Sequence, residues 1–152
     1  MIPELTSDQR MFLAHFVGQF EGCRTEAYQD LIGVWTIGYG HTGEDVHEGL
    51  HWSPAECLNV FAKDLELYEK RVAELLEVET TVPQLVAMIS LAYNIGVHAF
   101  STSHVRHYHN MSMHQDAANC FTLFDMAGGR VVAGLVKRRN LEADLYLKPT
   151  LT

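Results

Sequence analysis

A chain of 152 residues, 47% hydrophobic and 20% charged, has the size and composition of one globular domain, which excludes a disordered or fibrous protein. Eleven basic against 19 acidic side chains give a net charge of −8, the wrong sign for binding nucleic acid. No apolar run reaches bilayer length, and the opening segment MIPELTSDQRMFLAHFVGQFEG carries acids where an export signal is basic and then apolar, so neither stable membrane association nor a signal peptide is expected.

Thr6 and Gln9 have the spacing of a capping box, and Met11, Phe12, His15, Phe16, Val17 and Phe20 recur at helical intervals, predicting a first helix over about 7–20 that stops at Gly22. Glu21 then falls at the helix C-terminus, where the negative end of the dipole opposes ionisation. Residues 24–50 are punctuated by glycines and hold Val34, Thr36 and Tyr39 in short segments suited to a two- or three-stranded antiparallel sheet. Ser53, Pro54 and Glu56 give an N-cap, an N1 proline and an N3 glutamate for a long helix reaching Leu75.

Thr81, Pro83 and Gln84 repeat the start signal before LVAMISLAYNIG, whose lack of a polar face predicts a helix buried on all sides and closed by Gly96. Shorter helices are expected at about 102–109, at 113–124 behind a Ser112–Gln115 cap, and at 135–147. The architecture is therefore α+β and mainly helical: a single domain over 1–152, with an N-terminal lobe of about 1–60 holding the small sheet and a helical C-terminal lobe of about 61–152. A cleft where such lobes meet suits a long polymer. Cys23, Cys57 and Cys120 are an odd number without metal-type spacing, read as free thiols in preference to a disulfide.

The stretch FEGCRTEAYQDLIGVWTIGYGHT carries the chemistry. Glu21 and Asp30 have eight residues between them, and Thr36 follows Asp30 after five more. Glycosidic cleavage needs one carboxylic acid for the leaving oxygen and a second group on the opposite face of the sugar. Taken singly, Glu21 is equally a solvated helix end, Asp30 a turn residue and Thr36 a strand residue. The nine histidines raise a metal site, but in the crowded region 98–114 only His104 and His107 have helical ligand spacing, so neither a metal nor another cofactor is expected.

The acid–base spacing followed by IGYGH, together with AYNIGVHAFSTS and GLVKRRNLEADLY further on, resembles the phage-type lysozymes, or endolysins, of glycoside hydrolase family 24. The resemblance implies a lysozyme-like two-lobed fold and hydrolysis of the β-1,4 bond between N-acetylmuramic acid and N-acetylglucosamine. Glu21 is then the general acid, with Asp30 and Thr36 positioning water, an arrangement that inverts the anomeric centre. Thr42, Tyr93, Ser103 and Asn119 become substrate contacts, against the alternatives of a core aromatic for Tyr93, an N-cap for Ser103 and a solvated helix face for Asn119. His41 braces the hairpin, and Arg138 and Arg139 approach Glu21, with surface ion pairing as their alternative.

Peptidoglycan is the implied partner of a monomer made in the host cytoplasm and released to the wall by a separate holin. The acidic balance departs from the basic charge usual among lysozymes. Other readings are a non-catalytic wall-binding or regulatory protein on the same fold, a chitinase, or a lytic transglycosylase.

Overall fold

The computed structural model describes residues 1–152. Its elements are α1 (Ser7–Glu21), β1 (Arg24–Gln29), β2 (Trp35–Gly38), β3 (His41–Thr42), α2 (Pro54–Glu74), α3 (Val82–Ile95), α4 (Val97–Ser101), α5 (His104–Asn110), α6 (His114–Cys120), a 3₁₀ turn at Phe121–Phe124, β4 (Met126–Ala127), β5 (Arg130–Val131) and α7 (Ala133–Tyr146). No helix is long and apolar enough to cross a membrane.

Two compact units are formed, one of Met11–Leu67 and the other of Met1–Arg10 with Tyr68–Thr152. The expected division near residue 60 is therefore moved, because the first ten residues belong with the C-terminal unit. Leu5 is buried there, the Met1 ammonium meets Glu79 at 2.7 Å, the Met1 carbonyl accepts the Thr80 N–H, and Arg10 pairs with Glu69 through two contacts of 3.1 and 3.2 Å. The boundary itself falls inside α2.

In the unit of residues 11–67, the strand order is β1-β2-β3, all antiparallel, with Tyr28 opposite Thr36 and Thr36 opposite Thr42. A further segment is laced to β1 by Ala27 N–H to the Leu50 carbonyl and Trp52 N–H to the Thr25 carbonyl. Gly38 is required where it stands: its φ is +67°, and a Cβ there would lie 3.4 Å from the Trp52 ring. The core holds Leu13, Phe16 and Val17 of α1, Ile37 of β2 and Cys57, Phe61 and Leu65 of α2. Each helix is started by the expected box, with Thr6 and Gln9 exchanging side chain-to-backbone bonds for α1 and Ser53 and Glu56 doing so for α2.

In the other unit α3 is the central element, buried continuously from Pro83 to Ala92, with the Thr81–Gln84 capping box at its start and Gly96 at its end. It packs against α7. The expected cap at Ser112 is absent: Ser112 adopts φ +57°, and α6 begins at His114 without a side-chain cap. The helix expected to reach 124 tightens into the 3₁₀ turn after Cys120. The hairpin β4–β5 was not anticipated; its two-residue connection is Gly128-Gly129, with φ of +58° and +77°.

Candidate active site

Glu21 is the last residue of α1 and is half-buried. The chain turns out of the helix immediately afterwards at Gly22, whose φ is +67° and whose N–H closes the last turn on the Gly18 carbonyl at 3.2 Å. That turn leads directly into β1, so the segment carrying the first carboxylate is continuous with the strand that delivers the second.

Asp30 directly follows β1 and organises the connection to β2. Its Oδ1 accepts the N–H groups of Ile32 and Val34 at 3.0 and 2.9 Å, its own N–H donates to the Val34 carbonyl at 2.9 Å, and its carbonyl accepts the Gly33 N–H at 3.0 Å. Gly33 supplies the φ of +87° that the turn demands. The turn role open to Asp30 is thus real, yet it engages only one carboxylate oxygen and leaves Oδ2 without a protein partner.

Thr36 is only 5% exposed, and its hydroxyl donates to the same Val34 carbonyl at 3.0 Å. One main-chain unit therefore holds both side chains: Val34 gives its N–H to the Asp30 carboxylate and receives, at its oxygen, the Asp30 N–H and the Thr36 hydroxyl. With its proton committed, the Thr36 oxygen faces a further ligand as an acceptor. Thr42 stands opposite Thr36 on β3 and is exposed.

His41 is clasped from two sides, by Asp64 of α2 on Nδ1 at 2.7 Å and by Asp45 on Nε2 at 3.1 Å, with its ring 5.4 Å from that of Trp52. Burial alone lowers its basicity, but the hydrogen bonds and charges of Asp64 and then Asp45 outweigh it, and the imidazole is held above its ordinary 6.5. The imidazole and its two carboxylates brace the hairpin. Asp64 and Trp52 were not singled out from sequence; Asp45 was findable, four residues after His41 in a glycine-flanked loop.

The remaining expected residues lie in the other unit. Tyr93 is half-buried on α3, its ring 5.0 Å from Tyr68. Ser103 is the N-cap of α5: its hydroxyl accepts the Arg106 N–H at 3.2 Å and donates to the Phe100 carbonyl at 2.6 Å, so the capping role is the one its geometry supplies. Asn119 is exposed and accepts from Gln115 at 3.0 Å. Arg138 and Arg139 are not surface residues, correcting that alternative. Both are buried against Glu142, at 3.2 and 2.7 Å, and Arg138 also donates to the Ser90 carbonyl at 3.0 Å. Burial pushes the Glu142 carboxyl up, while Arg139, Arg138 and the Ser90 hydroxyl pull it back toward ionisation.

The crowded histidines divide as well. His109 is fully buried, between the Tyr146 hydroxyl on Nδ1 at 2.6 Å and the Thr80 hydroxyl on Nε2 at 2.8 Å, and His114 stacks beside it. Because Thr80 gives its own proton to the Val78 carbonyl, the ring donates through Nε2 and accepts at Nδ1. Desolvation and the neighbouring His114 lower it to about 4. No group of three or more His, Cys, Asp or Glu side chains is arranged to hold a metal ion.

A family model of phage lysozymes matches residues 18–142, from the end of α1 to the buried Glu142. The chain belongs to the phage lysozyme family. Among its curated relatives, the endolysin of Salmonella phage P22 is 35% identical over 84% of this lysozyme and 89% of the relative. The endolysin of Bacillus phage B103 is 38% identical over 88% of the chain, which spans only 51% of that relative's length. The SAR-endolysin of Enterobacteria phage P21 is 32% identical over 84% of the lysozyme and 77% of its own length.

Among solved structures, the muramidase domain of SpmX from Asticaccaulis excentricus superposes with a TM-score of 0.83 at 29% identity, covering 96% of this chain and 99% of that one. A P22 lysozyme mutant superposes at 0.75 with 33% identity over the same shares. The mainly helical fold with its small antiparallel sheet is thus that of the lysozyme-like muramidases.

Proposed function

We propose that this phage lysozyme is an endolysin that hydrolyses the β-1,4 bond between N-acetylmuramic acid and N-acetylglucosamine in bacterial peptidoglycan, lysing the host. The observation that carries the proposal is the shared Val34 anchor, which presents an unpartnered Asp30 oxygen and a Thr36 hydroxyl oxygen from adjacent ends of one hairpin. Endolysin and muramidase relatives support the substrate class.

In this mechanism Glu21 donates its proton to the glycosidic oxygen as the bond to the anomeric carbon breaks. A water gives one hydrogen bond to Asp30 Oδ2 and the other to Thr36 Oγ1, which turns its lone pair toward the oxocarbenium-like carbon; Asp30 then takes the proton released by attack. Direct water attack inverts the configuration. Thr42, Tyr93 and Asn119 contact the glycan in this scheme, whereas Ser103 acts chiefly by setting the start of α5. The enzyme acts as a monomer that reaches the wall through a membrane lesion made by a separate holin.

Glu21→Gln tests the acid directly: clearing of permeabilised Gram-negative cells should fall by at least about 100-fold with the fold intact, since positioned acids contribute roughly 10²–10⁴ in rate. Mass spectrometry of the digest should find reducing ends; anhydro sugars would make the enzyme a transglycosylase. Products with retained configuration would remove the water-positioning role of Asp30 and Thr36. Clearing in intact cells that needs no co-expressed holin would reject the assumed route, which the SAR-endolysin relatives make worth checking.

A further inference from the structure

Cys23 is exposed and immediately precedes β1, while Cys57 is buried at the start of α2. The Cys57 thiol points at the carbonyl of Arg24, the residue after Cys23, across 4.0 Å. Burial and then the neighbouring Cys23 raise both the Cys57 thiol and the Tyr39 hydroxyl, in keeping with that placement. The framework around the pair is fixed on both sides: Arg24 is registered against Gly38 in the sheet, a Cβ at Gly38 would sit 3.7 Å from the Cys57 Cβ, and α2 starts in the Ser53–Glu56 capping box. Both residues belong to the same compact unit.

We propose that Cys23 and Cys57 are a thiol-modification site, converted by a small-molecule disulfide such as oxidised glutathione into an intramolecular bridge that fastens the corner after Glu21 to α2. Neither cysteine has a part in the hydrolytic scheme, so the site is additional to it.

The exchange balances in two steps. The accessible Cys23 thiolate attacks one sulfur of the oxidant, forming a mixed disulfide and expelling one glutathione thiolate. Cys57 then loses its proton and attacks the Cys23 sulfur, expelling the second glutathione. Two cysteine thiols are oxidised, one disulfide is reduced to two thiols, and the two protons pass to the leaving thiolates. The second step is the slower one, because burial holds the Cys57 thiol above its ordinary range. In a reducing cytoplasm the pair stays as thiols; an oxidising compartment closes it.

Cys120, on α6 in the other unit, is the internal control, its thiol held up by burial and Asp116. The full chain is incubated with excess oxidised glutathione, digested without reduction and mapped by mass. The expected result is a linked peptide pair bearing Cys23 and Cys57, with the loss of two hydrogens, formed faster as pH rises. Cys120→Ser should leave the link unchanged, and Cys57→Ser should trap one glutathione on Cys23. Persistent separate glutathione adducts on Cys23 and Cys57, or a link through Cys120, overturn the assignment. Thermal melting supplies the second readout: the bridged protein should melt about 5–10 °C higher than the reduced one. An unchanged melting temperature in a protein that has formed the link would overturn the fastening role. Neither measurement depends on lytic activity.

Discussion

The hairpin region around Asp30, Thr36 and His41 and the interior around α3 and α7 both use hydrogen-bonded polar groups, to opposite ends. In the hairpin, Asp30 spends only one oxygen on the turn, and His41, partnered on both nitrogens, keeps a raised basicity between two carboxylates. In the interior, every charge is surrounded. Glu142 is closed in by Arg138, Arg139 and Ser90, and His109 is kept neutral between two hydroxyls. A group left with a free oxygen, such as Asp30, can still take a ligand, whereas enclosed groups such as Glu142 and His109 specify packing.

The largest effect is expected at Glu142. Glu142→Ala deprives two buried guanidiniums of their shared carboxylate and should cost about 3–5 kcal/mol in urea unfolding. A cost below 1 kcal/mol would mean that the cluster is not the structural anchor described.

The two histidines give the next largest effect, with opposite signs. His109 is depressed from 6.5 to about 4, so between those values the unfolded chain binds a proton that the folded one refuses. Stability supplied by neutral His109 is thus present above 6.5 and should fall by about 3 kcal/mol as pH drops to 4, and His109→Asn should flatten that slope. His41 is raised, so its charged form contributes fully below 6.5 and is lost as pH climbs through its folded value. Between pH 4 and 6.5 the His41 contribution is constant and the raised Glu142 carboxyl adds a slope of opposite sign, so His109 is read from the difference between the parent and His109→Asn slopes.

The smallest expected effect is at Asp64. Asp64→Asn should remove about 1.5–3 kcal/mol at pH 5.5 and less at a pH above the folded value of His41, where the charged imidazole is lost, as measured by denaturant titration at the two values. An equal loss at both would assign the contact to packing.

Much of this was legible in the residues. The boxes at Thr6, Ser53 and Thr81 are local, and each starts its helix where it should; the unbroken apolar run after Gln84 could only be a central helix. The Asp30 turn was readable because Gly33 and Val34 follow it. What escaped depends on tertiary context. Arg138, Arg139 and Glu142 look like a solvated face until α3 covers them, and Ser112 looks like a cap until the chain needs its positive φ to turn into α6. The β4–β5 hairpin is a different kind of miss, since the Gly128-Gly129 pair between short apolar segments was itself a sufficient signal. The attachment of residues 1–10 to the C-terminal unit rests on Leu5 burial and Met1 backbone pairing, which no local pattern announces.

The anchor at Val34 has a consequence for how the enzyme can be dissected. Its isopropyl group is 40% exposed and replaceable, while its amide and carbonyl tether the two groups assigned to the attacking water. Side-chain scanning passes over such a position in silence. Only chemistry that rewrites the peptide bond itself, such as an ester in place of the amide, would make the contribution visible, and part of the inventory of the proposed active site therefore lies outside the genetic code's ordinary alphabet.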